Sequence, residues 1–198
     1  MAYPHVLDIV ARMSSRMFLG EELCRNPEWL ECTKMYTVLG FSAKDKLNEY
    51  PPWMRPLMNR ILPGCRDIRQ LSARARKVVA PVIHKRQTAR EEAIRSGNPI
   101  PRFEDAIDWF DQEGADAKLD PATLQLMLSW VAIHTTTDLL TETLFQLAQR
   151  PQLVEELRKE ISEALSTDGW KKQTLYNMKL LDSVIKESQR MRPIIQGN

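Results

Sequence analysis

From Asp120-Pro121 to Arg150 the sequence carries one apolar-rich helical pattern with nothing to break it. Aspartate is a good N-cap and proline a good first helical residue, so the start is well marked. At 1.5 Å per residue the expected helix is about 45 Å long, and a helix of that length crosses the middle of a domain. The flanking segments also read as helices. Val6, Ile9, Val10, Met13 and Met17 form a helical face over residues 5–17. Asn26-Pro27 opens a second helix, with Trp29, Cys32, Tyr36 and Leu39 inward and Gly40 as its end. Asp67 is the expected cap of a third, buried through Ile68, Leu71, Ala75, Val78 and Val82, kinked at Pro81 and stopped at Arg95-Ser-Gly-Asn-Pro. A short helix over 105–111 turns Ile107 and Phe110 inward. Pro151 opens a helix on Leu153, Leu157, Ile161 and Leu165, with Glu155 and Lys159 paired on the wet side. After a turn at Asp168-Gly169, Asn177 caps a last helix on Leu180, Leu181, Val184 and Ile185, which Pro193 ends. No segment reads as a strand, and the fold class is all-α.

Composition narrows the function classes. Of 198 residues 43% are hydrophobic, which suits one core, and only 7 are glycine, which disfavours a turn-rich β fold. A formal charge of +2 gives the whole chain no electrostatic bias. Cys24, Cys32 and Cys65 are odd in number and widely spaced, which does not suggest a disulfide framework or zinc site and fits a reducing, cytosol-facing setting. His5, His84 and His134 lie on three different expected helices without metal-ligand spacing, so no metal ligand is expected. No apolar run is long enough for a signal peptide or membrane span. Arg66, Arg69, Arg74, Arg76, Lys77, Lys85, Arg86 and Arg90 make a basic stretch. It reads first as the wet side of an amphipathic helix. The neighbouring Trp53–Leu62 segment, with Arg55 and Arg60, can dip into a headgroup layer without crossing it.

Two short patterns remain. Ala132-Ile133-His134-Thr135-Thr136 places β-branched hydroxyl residues in mid-helix, where they can bond a carbonyl one turn back and bend the helix. Glu187 and Arg190, three residues apart, share a helix face; alone they read as an exposed ion pair contributing about 0.3–0.5 kcal/mol.

In this order and spacing, with Arg192-Pro193 behind them, the two patterns resemble the oxygen-groove motif (A/G-G-x-D/E-T) and the E-x-x-R motif of the cytochrome P-450 family, the haem-thiolate monooxygenases. Ser14-Ser15-Arg16-Met17-Phe18-Leu19-Gly20 resembles a segment of filamentous-fungal members. The resemblance covers nearly all of residues 1–198 and implies a single partial domain: the multi-helix central portion of that fold, with the long central helix at about 120–150. It implies that Thr136 organises water and protons where oxygen is activated, and that Thr135 replaces the usual acid and Ile133 the usual glycine. It further implies that Ala132 and Thr136 face haem, and that Glu187 and Arg190 form a structural ion pair joined by a later arginine.

The same family holds its haem through a cysteine in F-x-x-G-x-x-x-C-x-G, well after E-x-x-R, and here no cysteine follows Cys65. Phe18 to Cys24 imitates that loop, but its Phe-to-Gly spacing is one residue short, Asn26 replaces the last glycine, and it precedes the oxygen-groove helix. The expectation is a truncated member that neither binds haem through a thiolate nor turns over alone. The face of Ala132, Ile133, Thr136 and Leu140 is expected to stand open to water, leaving stability marginal. Intact relatives are expected to take electrons from NADPH through a flavoprotein reductase, to oxygenate a hydrophobic specialised metabolite such as a terpenoid or polyketide, and to be anchored in the endoplasmic reticulum. No anchor is read in this sequence; residues 51–63 are the candidate for peripheral membrane contact. Nucleic acid is not an expected partner. The rival reading is a non-catalytic helical module that binds nucleic acid, an acidic partner or an intact relative.

Overall fold

The computed structural model describes residues 3–113 and 120–193. Its regular structure is entirely helical among those residues: α1 (Tyr3–Leu23), α2 (Pro27–Asn48), α3 (Arg55–Ile61), α4 (Pro63–Ser96), α5 (Ala106–Glu113), α6 (Pro121–Ala148), α7 (Pro151–Asp168), α8 (Lys172–Asn177) and α9 (Lys179–Met191). The chain divides into two compact units, one of Leu7–His134 and one of Met1–Val6 with Thr135–Asn198.

In the Leu7–His134 unit, α2 packs along α4. The Asn26 side chain accepts the Trp29 N–H at 3.0 Å and Pro27 follows it, so α2 starts as expected. Trp29 is fully buried, and its indole N–H donates to Ser15 Oγ at 3.0 Å. That bond explains a correction in α1. Ala11, Ser15 and Leu19 are buried there, whereas Ile9, Met13 and Met17 are exposed; of the expected face only Val6 and Val10 are buried. The small Ala11 and Ser15 allow the close approach that bulky methionines would block. At Gly20, φ +73° and ψ −164° break the helix in a conformation essentially restricted to glycine.

Gly40 does not end α2, which continues to Asn48 and buries Ala43. A glycine inside a helix costs only about 1 kcal/mol, less than one buried apolar side chain contributes. Asp67 does not cap α4, because Pro63 at the first turn starts the helix four residues earlier. Cys65, Leu71, Ala75, Val79 and Val82 are buried on α4, while Ile68 and Val78 are half-buried. The helix continues through an exposed Pro81. It stops where expected: Gly97 has φ +68°, and Asn98 N–H reaches back to the Ala93 carbonyl at 2.9 Å. On α5, Ile107 is buried as expected, but Phe110 is exposed. The long helix opens with Asp120 accepting from Thr123 N–H (3.0 Å) and Thr123 Oγ1–H (2.9 Å), then runs to Ala148.

In the other unit, Leu157 is the buried residue of α7, with Leu153, Ile161 and Leu165 half-buried. Glu155 pairs with Arg158 at 2.6 Å rather than with Lys159, which instead lies 4.0 Å from Glu163. Asn177 closes α8 and donates to Asp168 at 2.9 Å. The first N–H groups of α9 are met from outside the helix: both Glu160 carboxylate oxygens accept, from Leu180 at 2.7 Å and Leu181 at 3.0 Å. Among the described residues, no helix is long and apolar enough to cross a membrane.

Candidate functional site

The expected site lies on α6. Ala132, Thr136 and Leu140 fall four residues apart, on one row of the helix. Ala132 is half-buried, Thr136 and Leu140 are exposed, and Thr135 is half-buried. Ile133 is a correction: it is fully buried, because at 100° per residue it turns toward the same side as the buried Leu126 and Ser129. His134 lies about 200° round the helix from Thr136. Its imidazole Nε2 is 3.3 Å from the Lys34 carbonyl of α2. One turn earlier, Trp130 meets Phe41 and Tyr36 of α2 edge-on, with ring centroids 5.4 and 6.2 Å apart. The long helix therefore engages α2 with one side and carries the Ala132–Thr136–Leu140 row on another.

Glu187 and Arg190 form a two-pronged pair at 2.7 and 2.6 Å. The hydrogen bonds from Arg190 hold the Glu187 carboxyl below the usual range. Both side chains are largely exposed, 54% and 72%, so in this chain the pair is solvated. On the same unit, Arg192 reaches Glu142 of α6 at 2.9 Å, beside a cleft of about 370 Å³ that also holds Tyr3, Asp138 and Thr141.

The basic stretch is largely neutralised. Arg74 bridges Glu28 and Glu31 at 3.2 and 3.1 Å, Arg76 pairs with Asp120 at 3.1 Å, and Lys85 pairs with Glu22. Arg86, expected on the wet side, is buried. Its guanidinium grips Asp105 through two bonds of 2.8 and 2.5 Å and lies 4.3 Å over the Phe103 ring. Arg90 and Asp108 pair one turn further along. A Cβ on Gly20 would come within 2.6 Å of the Asp105 carboxylate, so the break in α1 makes room for this pair. Only the i, i+3 spacing of Asp105 and Asp108, one turn like that of the Arg86–Arg90 pair, hinted at it in the sequence.

The three cysteines do not fit the role of an iron ligand. All are buried; the Cys32 thiol donates to the Leu71 carbonyl at 3.9 Å, and burial pushes its pKa up, away from the thiolate. Cys24 donates to the Glu21 carbonyl at 3.4 Å. Among the described residues, no cluster of His, Cys, Asp and Glu is arranged to hold a metal ion.

The sequence model of the cytochrome P450 family matches residues 3–198. The chain is 48% identical over 195 residues to the cytochrome P450 monooxygenase eqxH of Fusarium heterosporum, covering 98% of this chain and 37% of that protein. It is 47% identical to the cytochrome P450 monooxygenase adrA of Penicillium rubens, covering 96% and 37%. It is 49% identical to cytochrome P450 monooxygenase 2 of Gibberella fujikuroi, covering 94% and 40%. The chain thus spans 37–40% of the length of these relatives.

Proposed function

The chain belongs to the cytochrome P450 family, and on that premise we propose that it is the central helical portion of a fungal haem-thiolate monooxygenase. In the family the haem supplies oxygen activation, with a cysteine thiolate pushing electron density onto the iron. The proposed contribution of these residues is the Ala132–Thr136 face of α6. There the Thr136 hydroxyl holds water and a proton, and Ala132 leaves room for a planar group. Thr135, in the place of the usual acid, supplies a second hydroxyl. Glu187 and Arg190 serve the architecture, not the reaction. The observation that carries this reading is the division of labour along α6: one side is committed to α2, while Thr136 and Leu140 remain exposed.

The complete protein would accept electrons from an NADPH-linked flavoprotein reductase and oxygenate a hydrophobic small molecule, of the terpenoid or polyketide class. The 198 residues alone, with no accessible thiol, would not turn over. Trp53, 78% exposed, with Leu57 and Ile61 at 58% and 54%, supports peripheral membrane contact through 51–63. The nucleic-acid reading loses support because Arg74, Arg76, Lys85, Arg86 and Arg90 already face carboxylates.

A chimera tests the proposal. Residues 3–193 replace the matching segment of the Fusarium heterosporum relative, and the purified protein is assayed with reductase and NADPH. The expected result is substrate oxygenation that Thr136→Ala uncouples, so that NADPH is consumed with much less product. Unchanged product per NADPH in Thr136→Ala would overturn the assignment of Thr136.

A further inference from the structure

We infer that His134 is a positioning residue that pins α2 to α6 at the turn leading into Thr135 and Thr136; its place in the reaction rests on the function proposed above. The motif leaves this position variable, and the sequence gives His134 no metal-binding spacing. In the structure its Nε2 lies 3.3 Å from the Lys34 carbonyl, one hundred residues away along the chain. A carbonyl oxygen only accepts, so Nε2 must carry the proton and donate. Lys34 and His134 both belong to the Leu7–His134 unit.

The bond acts together with two neighbours. Trp130, one turn back on α6, meets Phe41 and Tyr36 edge-on, and Lys34 Nζ reaches Asp8 of α1 at 2.6 Å. The aromatic contacts are apolar and tolerate sliding. A hydrogen bond to one backbone carbonyl does not, because it weakens steeply with distance and angle. His134 thus sets the register in which α2 lies over α6. Thr136 lies about 200° round the helix from His134.

Two measurements on the 198-residue chain test this. The first is the imidazole tautomer, read by nitrogen NMR at a pH where the ring is neutral: the expected form has hydrogen on Nε2, and hydrogen on Nδ1 would overturn the inference. The second is amide hydrogen exchange across Lys34–Phe41. His134→Leu should speed it by about fivefold, the factor a single net hydrogen bond supports, whereas His134→Gln, which keeps an N–H donor, should stay near wild type. Equal exchange in Leu and Gln variants, or unprotected α2 amides in the wild-type chain, would overturn it. If His134→Leu does not fold, the tautomer and the Gln variant still decide. Neither readout needs turnover, so an inactive chimera would leave this inference standing, and a failed tether would leave the proposed function standing.

Discussion

Removing the arginine of the buried Arg86–Asp105 pair should strongly destabilise the Leu7–His134 unit. The two side chains are 7% and 2% exposed and joined by bonds of 2.8 and 2.5 Å. Arg86→Met keeps the length and apolar body of the side chain but leaves the Asp105 carboxylate buried, retaining only the Asp108 N–H at 3.2 Å among these bonds. Breaking a buried pair in this way costs about 3–5 kcal/mol, whereas a solvated pair such as Arg74–Glu31 contributes far less. With a urea m-value of about 2 kcal/mol/M, the loss corresponds to a midpoint drop of roughly 1.5–2.5 M. Urea titration followed by circular dichroism measures it, with Glu31→Ala as the exposed control. Adding Asp105→Asn to Arg86→Met removes the stranded charge and should recover part of the loss. A drop below about 0.5 M for Arg86→Met, or no recovery in the double variant, would refute the reasoning.

Four further outcomes are expected. Asp120→Ala removes the cap of α6 and should lower stability by about 1 kcal/mol in the same assay. Burial raises the Asp120 pKa, but Arg76 and Thr123 outweigh it and hold the net value below the usual range. The stability it contributes is therefore present above the ordinary carboxylate value and lost as pH falls through the lowered one. Urea midpoints between neutral and acid pH should show that loss, and Arg76→Ala should shrink it. The Tyr3 phenol is raised by burial first and then by the Asp138 carboxylate, to which it is hydrogen-bonded. Its stabilising effect is full below the ordinary phenol value, about 10, and fades as pH rises through the raised value. Phenolate absorbance should show one tyrosine titrating late, lost in Tyr3→Phe and shifted down in Asp138→Asn. Finally, vesicles containing anionic lipid should blue-shift tryptophan fluorescence in the wild-type chain and much less in Trp53→Ser, with the difference reduced by salt.

What could be read from the sequence was local chemistry. Asn26-Pro27, Asp120-Pro121, Gly97-Asn98 and Asp168-Gly169 each carry their own start or stop signal, and each boundary lies where that signal puts it. What could not be read depended on distant partners. Gly40 stays helical because α2 continues along α4. Asn177 gives up the cap of α9 because Glu160, from α7, occupies those N–H groups. Arg86 looks like one more basic residue until Asp105 is folded against it. At the candidate site the α6 motif gave the right helix and the exposed Thr136. It could not tell that Ile133 faces the core or that His134 reaches α2, since both depend on which side of the helix α2 and the core occupy.

These residues are proposed to supply the oxygen-groove helix of a P450 and no thiolate ligand. The most direct test is the carbon monoxide difference spectrum of the purified 198-residue chain, reduced in the presence of haem. No absorption band of a thiolate-ligated haem is expected, from the wild-type chain and from a variant with all three cysteines replaced by serine alike. A thiolate-type band in the wild-type chain, abolished by replacing Cys24, Cys32 or Cys65, would contradict this assignment.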